Sequence, residues 1–150
     1  MTPLPAEARL ARHLSAARTA WHQRRGTDAA TFAPDREALE ISGVEAELVF
    51  ARLANVYPNL ETERPGGADC VVGGRTVDVK WSLTGNLLVK LGAVPVDAYV
   101  LMRGRYDPAG WMPSAQIGDH YLTDLPGGRV YLVPVADLLP ITDLIGGYCG

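Results

Sequence analysis

Between residues 5 and 25, Leu10, Leu14, Ala17 and Trp21 recur at helical spacing, while Arg9, Arg12, Arg18, Arg24 and Arg25 supply charge around them. That period predicts an amphipathic helix with a solvated basic face, ended by Gly26. Residues 27–41 read as a connector containing Pro34 and a short 36–41 segment whose pattern fits no one element. A second helix is predicted over about 43–55. Ser42 and Glu45 form an S-x-x-E capping box at its start, and Tyr57-Pro58 stops it. Beyond it the pattern becomes strand-like at 60–63, 68–72, 75–81, 87–91, 98–103 and 130–133, with Pro65-Gly66-Gly67 and Gly73-Gly74 as punctuation. Residues 135–139 fit a short helix. A helix, then strands, then mixed elements predicts an α/β fold: a mixed central sheet flanked by helices, with an added N-terminal helix.

The Gly73-Gly74 pair joins two strand-like runs and predicts a tight hairpin. A two-residue loop sets Val72 opposite Arg75, Val71 opposite Thr76, Cys70 opposite Val77 and Asp69 opposite Asp78. Strand alternation then puts Asp69, Val71, Thr76, Asp78 and Lys80 on one face, and Ala68, Cys70, Val72, Val77 and Val79 on the apolar one. Like charges directly opposed across strands repel, so the two aspartates call for a compensating cation. Lys80 on the same face is one candidate; a divalent metal, which favours hard carboxylate oxygens, is another.

Glu47 adds to this pattern. On a helical projection it falls inside the apolar arc formed by Phe50, Ala54, Ala51, Val44 and Leu48, the face expected to pack on the sheet. A carboxylate there is costly unless it is paired or binds metal; a buried pair with Arg64 or Arg75 is the alternative.

Composition narrows the class. The chain of 150 residues is 47% hydrophobic and 21% charged, which suits one globular domain with a hydrophobic core. No apolar run approaches the roughly 18–20 residues that cross a bilayer, and Met1-Thr2-Pro3-Leu4-Pro5 has no signal core, so no membrane association and a cytoplasmic location are expected. A net charge of −3 argues against a polyanionic partner, but the charge is uneven. Five Arg oppose only Glu7 in residues 1–26, whereas five Asp oppose only Arg129 in residues 107–150. Lys80 and Lys90 are the only lysines, against twelve Arg. Cys70 and Cys149 have neither a disulfide framework nor a zinc spacing, and Cys70 reads as a small buried strand residue. His13, His22 and His120 lack ligand spacing as well.

Taken together, Gly43-Val44-Glu45-Ala46-Glu47 on a helix, then Asp69, then Asp78-Val79-Lys80 after a short hairpin resembles the PD-(D/E)XK nuclease superfamily. The resemblance covers residues 42–104, with 1–41 as an N-terminal helix and connector and 105–150 as a C-terminal extension of a single nuclease-like domain. Residues 98–102, Gly110-Trp111 and 130–134 look similar to the tails of small phage and prokaryotic nuclease-like proteins. The family's core runs helix, three strands, helix, strand (αβββαβ, restriction-endonuclease-like). The resemblance therefore implies a helix near 83–94, a stretch that reads as loop and strand as readily as helix.

The resemblance implies Mg²⁺, with Mn²⁺ as a substitute, held by Asp69, Asp78 and the Val79 carbonyl, with Glu47 binding directly or through water. It implies that Lys80 orients the attacking water, and that the substrate is DNA cut as by an endonuclease of repair, recombination or phage DNA processing. Dimers are common among such nucleases. Arg52, Arg64, Arg75, Lys90 and Arg103 are candidate phosphate contacts, and Trp111 is a packing aromatic or a base-stacking one. The contrasting expectation is a catalytically inactive protein of the same fold that binds nucleic acid or a protein partner.

Overall fold

The computed structural model describes residues 1–25, 35–64 and 66–146; Gly26, Pro34, Pro65 and Cys149 lie outside them. Helix α1 spans Pro5–Arg25. Pro5 suits the first turn, where its missing N–H removes no helix bond. Glu7 accepts the Leu4 N–H at 2.7 Å, and Arg24 and Arg25 sit in the last turn, opposite the helix dipole's negative end.

Helix α2 spans Arg36–Ala54 and ends on Asn55, whose left-handed conformation (φ 53°) lets its N–H close back on Ala51 and Arg52. The helix begins well before the expected capping box, which is a correction. Arg36 and Glu40 pair one turn apart at 2.9 Å, and the Thr19 hydroxyl of α1 donates to Glu40, so the segment before Ser42 is held helical. Glu45 is therefore interior and instead accepts the Tyr106 hydroxyl at 2.6 Å. Tyr106 itself takes a positive φ of 65°, uncommon for a bulky residue. Gly43 also falls mid-helix, where a Cβ would meet nothing within 4 Å. Gly43→Ala is expected to raise unfolding free energy in urea by about 0.5–1 kcal/mol, the helical cost of glycine relative to alanine.

Four strands form the main sheet: β1 (Cys70–Val72), β2 (Arg75–Ser82), β4 (Ala98–Arg103) and β5 (Asp107–Pro113), in the order β1-β2-β4-β5. β2 and β4 run parallel; the other pairs are antiparallel. A second sheet, β3-β7-β6, is built from β3 (Leu87–Lys90), β6 (Leu122–Leu125) and β7 (Gly128–Val133). A one-turn α3 (Ile141–Ile145) follows. The fold is thus α/β with a mixed sheet flanked by helices and an N-terminal helix.

The helix implied near 83–94 is absent: that stretch holds β3, and no helix joins β2 to β4. Gly92 (φ 72°) and Pro95 interrupt that stretch, and a residue before proline is driven out of the helical region. The sheet face that a crossover helix would cover is covered by the second sheet. Tyr99, Leu101 and Met112 on that face pack with Leu87, Val89 and Val133. The opposite face presents Cys70, Val72, Val77, Val79, Val100 and Met102 to Ala46, Val49 and Phe50 of α2, and Leu144 of α3 closes the same core. α2 is in turn packed on α1 through Val44 and Leu48 against Ala11 and Leu14. Buried on both sides, α2 has the wide apolar arc seen in its sequence. β4 is likewise buried on both faces and reads as a continuous apolar run.

Two strands lacked a sequence signal. β5 contains Pro108 and Gly110, both poor strand formers, and Pro108 sits at a register shift. The polar, exposed Asp124 and the Gly127-Gly128 turn obscured β6. Conversely, residues 60–63, expected as strand, form coil and bend. Asn59 organises that segment locally: its side chain bonds the Ala68 carbonyl and accepts the Glu61 N–H. Residues 135–137 form a 3₁₀ turn in the region expected to be a short helix. No helix among the described residues is long and apolar enough to cross a membrane.

Candidate metal centre

The Gly73-Gly74 turn fixes the site. Both glycines take positive φ (57° and 78°), as a two-residue hairpin loop requires, and the register pairs Cys70 with Val77, Val71 with Thr76 and Val72 with Arg75, as read from the sequence. The ladder stops at Cys70. Asp69, one residue earlier, donates its N–H to the Val77 carbonyl, and its Oδ2 turns to accept the Val79 N–H at 2.7 Å. Its charge still acts on Asp78, whose pKa it raises, and both line the same cleft. Both aspartates are buried, 5% and 8% exposed.

Each acidic group has its own cation. Arg64 donates to Asp69 Oδ1 at 2.8 Å, and Lys80 Nζ donates to Asp78 Oδ2 at 2.9 Å. Glu47 reaches in from α2 and accepts Arg18 Nη1 of α1 at 2.9 Å, with both side chains about 15% exposed or less. Glu47 thus has a buried pair, but with Arg18 rather than with Arg64 or Arg75. Asn59 ties the parts together: its backbone N–H donates to the Asp69 carbonyl at 2.6 Å, and its own carbonyl accepts Arg18 Nη2 at 3.0 Å.

The three carboxylates and their cations line one cleft of about 220 Å³, where Glu47, Asp69, Asp78, Val79 and Lys80 are joined by Arg18, His22, Arg64, Gly66 and Gly67. A second cleft of similar size, between α1 and α2, shares Arg18, His22 and Glu47 with the first.

Burial sets the electrostatics. Desolvation, then the Asp69 charge, raises the Glu47 pKa to about 7 against the opposing pull of Arg18 and Arg64. Asp78 is raised to about 6, first by burial and then by Asp69, while Lys80 acts against the shift. Burial, reinforced by Asp69 and Glu47, pushes the Cys70 thiol up to about 12, so it is an inert core residue. Tyr99, paired in register with Asp78, has its phenol raised by burial and by that charge.

These shifts predict an unusual pH dependence. A carboxyl whose folded pKa lies above its unfolded value binds more protons when folded, so stability falls as pH rises between the two values. For Glu47 that window runs from 4.5 to about 7, and for Asp78 from 3.8 to about 6. Thermal unfolding in EDTA should therefore occur at lower temperature at about pH 8 than at about pH 5, and Glu47→Gln should flatten the difference. A melting temperature independent of pH over that range would contradict the assignment of buried carboxylates.

The donor set suits a hard cation. Among the described residues no three His, Cys, Asp or Glu side chains converge closely enough to enclose an ion. The Asp69–Asp78 pair supplies two carboxylates, the number by which Mg²⁺ is commonly held while it keeps several waters, although Asp69 already accepts from Arg64 and the Val79 N–H and Asp78 from Lys80. Glu47 shares the cleft but is held by Arg18.

Of the residues considered for phosphate contact, only Arg64 lines the cleft. Arg52 pairs with Glu7, Arg103 donates to the Thr84 carbonyl, and Arg75 lies over the Trp111 ring. Trp111 is 6% exposed and packs in the core, so it is not available for stacking. The residues expected from the sequence do not include Arg18, Asn59 or His22. Arg18 did carry a signal: it lies four residues after Leu14 and three after Ser15, on the buried face of α1. Comparison with known proteins returns no family model, no curated protein and no solved structure that matches the chain.

Proposed function

We propose that the chain is a Mg²⁺-dependent nuclease that hydrolyses phosphodiester bonds in DNA, an endonuclease of phage or prokaryotic DNA processing, repair or recombination acting in the cytoplasm. The observation that carries this reading is the buried Asp69–Asp78 pair in a cleft with Lys80 and Glu47. Asp69 and Asp78, with the Val79 carbonyl, would hold the ion, and Glu47 would join them directly or through water. The ion, when bound, would supply an acidified water and charge neutralisation at the phosphoryl oxygens. Lys80 has the chemistry to position the attacking water: its ammonium is a compact triple donor, 37% exposed, already beside Asp78. Burial of the carboxylates strengthens every charge interaction in the cleft.

Supercoiled, linear and branched DNA incubated with Mg²⁺ or Mn²⁺ should be cut, and EDTA should stop the cutting. A second reading is a catalytically inactive protein of this fold that binds nucleic acid or a protein partner. It draws support from the internal ion pairs that Glu47, Asp69 and Asp78 already make. DNA that is bound but left intact in either metal would favour it.

A further inference from the structure

Arg18 and Arg64 occupy positions that the nuclease reading does not require of them. Arg18 belongs to α1, outside residues 42–104, yet it joins Glu47, the Asn59 carbonyl and the Glu61 carbonyl through separate nitrogens at 2.9, 3.0 and 3.1 Å. Arg64 joins Asp69 and the Ala68 carbonyl, and its Nε–H is buried without a partner, so its guanidinium has donor capacity to spare.

With Lys80 on Asp78, three cations match three carboxylates. A guanidinium does not lose its proton, so it cannot adjust by becoming neutral when its carboxylate turns to another cation. The cleft would then carry surplus positive charge on planar, forked donors whose geometry suits phosphate oxygens. Arg18 also stands where the two clefts meet, which places it along any strand that passes from one to the other.

We infer that Arg18 and Arg64 are substrate-phosphate-binding residues, held by Glu47 and Asp69 until those carboxylates engage a divalent metal. The inference rests on the metal-dependent nuclease reading. Its consequence is a pair of effects of opposite sign. Replacing either arginine removes a competitor for the carboxylate and tightens metal binding, while the affinity for DNA falls. A purely structural role would weaken both.

The test titrates Mn²⁺ calorimetrically into wild type, Arg64→Gln, Arg18→Gln and Arg64→Lys. It also measures binding of a short dye-labelled single-stranded DNA in Ca²⁺ over a range of salt. Both Gln variants should bind Mn²⁺ several-fold more tightly and DNA roughly tenfold more weakly, the scale of one charge-assisted hydrogen-bonding group. The slope of log affinity against log salt should become shallower by about 0.7 for each phosphate that the variant no longer neutralises. Arg64→Lys, which keeps the charge, should recover much of the DNA affinity. If Arg18→Gln unfolds at lower temperature because α1 has lost its tether, Arg64→Gln, which leaves α1 untouched, decides the matter. Unchanged or weaker Mn²⁺ binding in Arg64→Gln, or an unchanged DNA affinity and salt slope, would overturn the inference. Wild type that binds no Mn²⁺ overturns both this and the nuclease reading; wild type that binds it, with Arg64→Gln binding no more tightly, overturns the exchange alone.

Discussion

Asp78→Asn should abolish Mg²⁺-dependent DNA cleavage, lowering the rate by about a thousandfold or more, the scale on which enzymes lose activity when one charge-bearing catalytic group is removed. The substitution keeps the shape of the side chain and removes its charge, so the aspartate pair loses half its capacity to hold a cation. The protein should remain folded. Burial already disfavours the Asp78 carboxylate, raising its pKa to about 6, and an amide stands in for the neutral form without that cost. Lys80, left without its partner, is 37% exposed and can turn to water. Equal or higher melting temperature together with lost cleavage is therefore the expected combination. Cleavage within tenfold of wild type would contradict it. A variant that is inactive because it has unfolded would show the loss in its circular dichroism.

Gly110→Ala should destabilise the fold by about 3 kcal/mol or more, the range of substitutions that force a strained backbone and a steric overlap together. Gly110 has φ +149°, and a Cβ there would lie 2.7 Å from both the Leu138 Cβ and the Leu139 carbonyl oxygen. Neither neighbour can yield easily. Trp111 and Leu139 exchange both backbone hydrogen bonds, at 3.0 and 2.9 Å, and so pin the C-terminal segment against β5. Gly127→Ala is the matched control, since a Cβ at that position meets nothing within 4 Å. Urea unfolding should separate the two by several kcal/mol, whereas a Gly110→Ala loss below about 0.5 kcal/mol, the size of an ordinary surface change, would show that the β5 packing is not tight.

What the sequence made legible was local. The hairpin register followed from Gly73-Gly74 and strand alternation, because a two-residue loop leaves no freedom in pairing. Glu47 stood out because a helical projection needs only its own helix. Its partner did not, because Arg18 reaches it only once α1 packs on α2, whereas the sequence points to Arg64 and Arg75. The start of α2 was misplaced for a related reason. The Ser42–Glu45 capping signal is local, while the Thr19–Glu40 and Arg36–Glu40 interactions that extend the helix depend partly on α1. β5 was missed because its strand conformation comes from β4 on one side and Leu139 on the other rather than from its own residues. The helix implied over 83–94 gave way to β3, which joins a second sheet that buries the same face.

Whether Asp69 and Asp78 together hold a divalent cation is read from calorimetric titration of Mn²⁺ at about pH 8, where the Asp78 carboxyl, raised to about 6, is ionised. Wild type should bind the ion, and Asp69→Asn and Asp78→Asn should each lose that binding while remaining folded. Absence of Mn²⁺ binding in wild type, or binding in either variant as tight as in wild type, would show that the pair does not hold the ion.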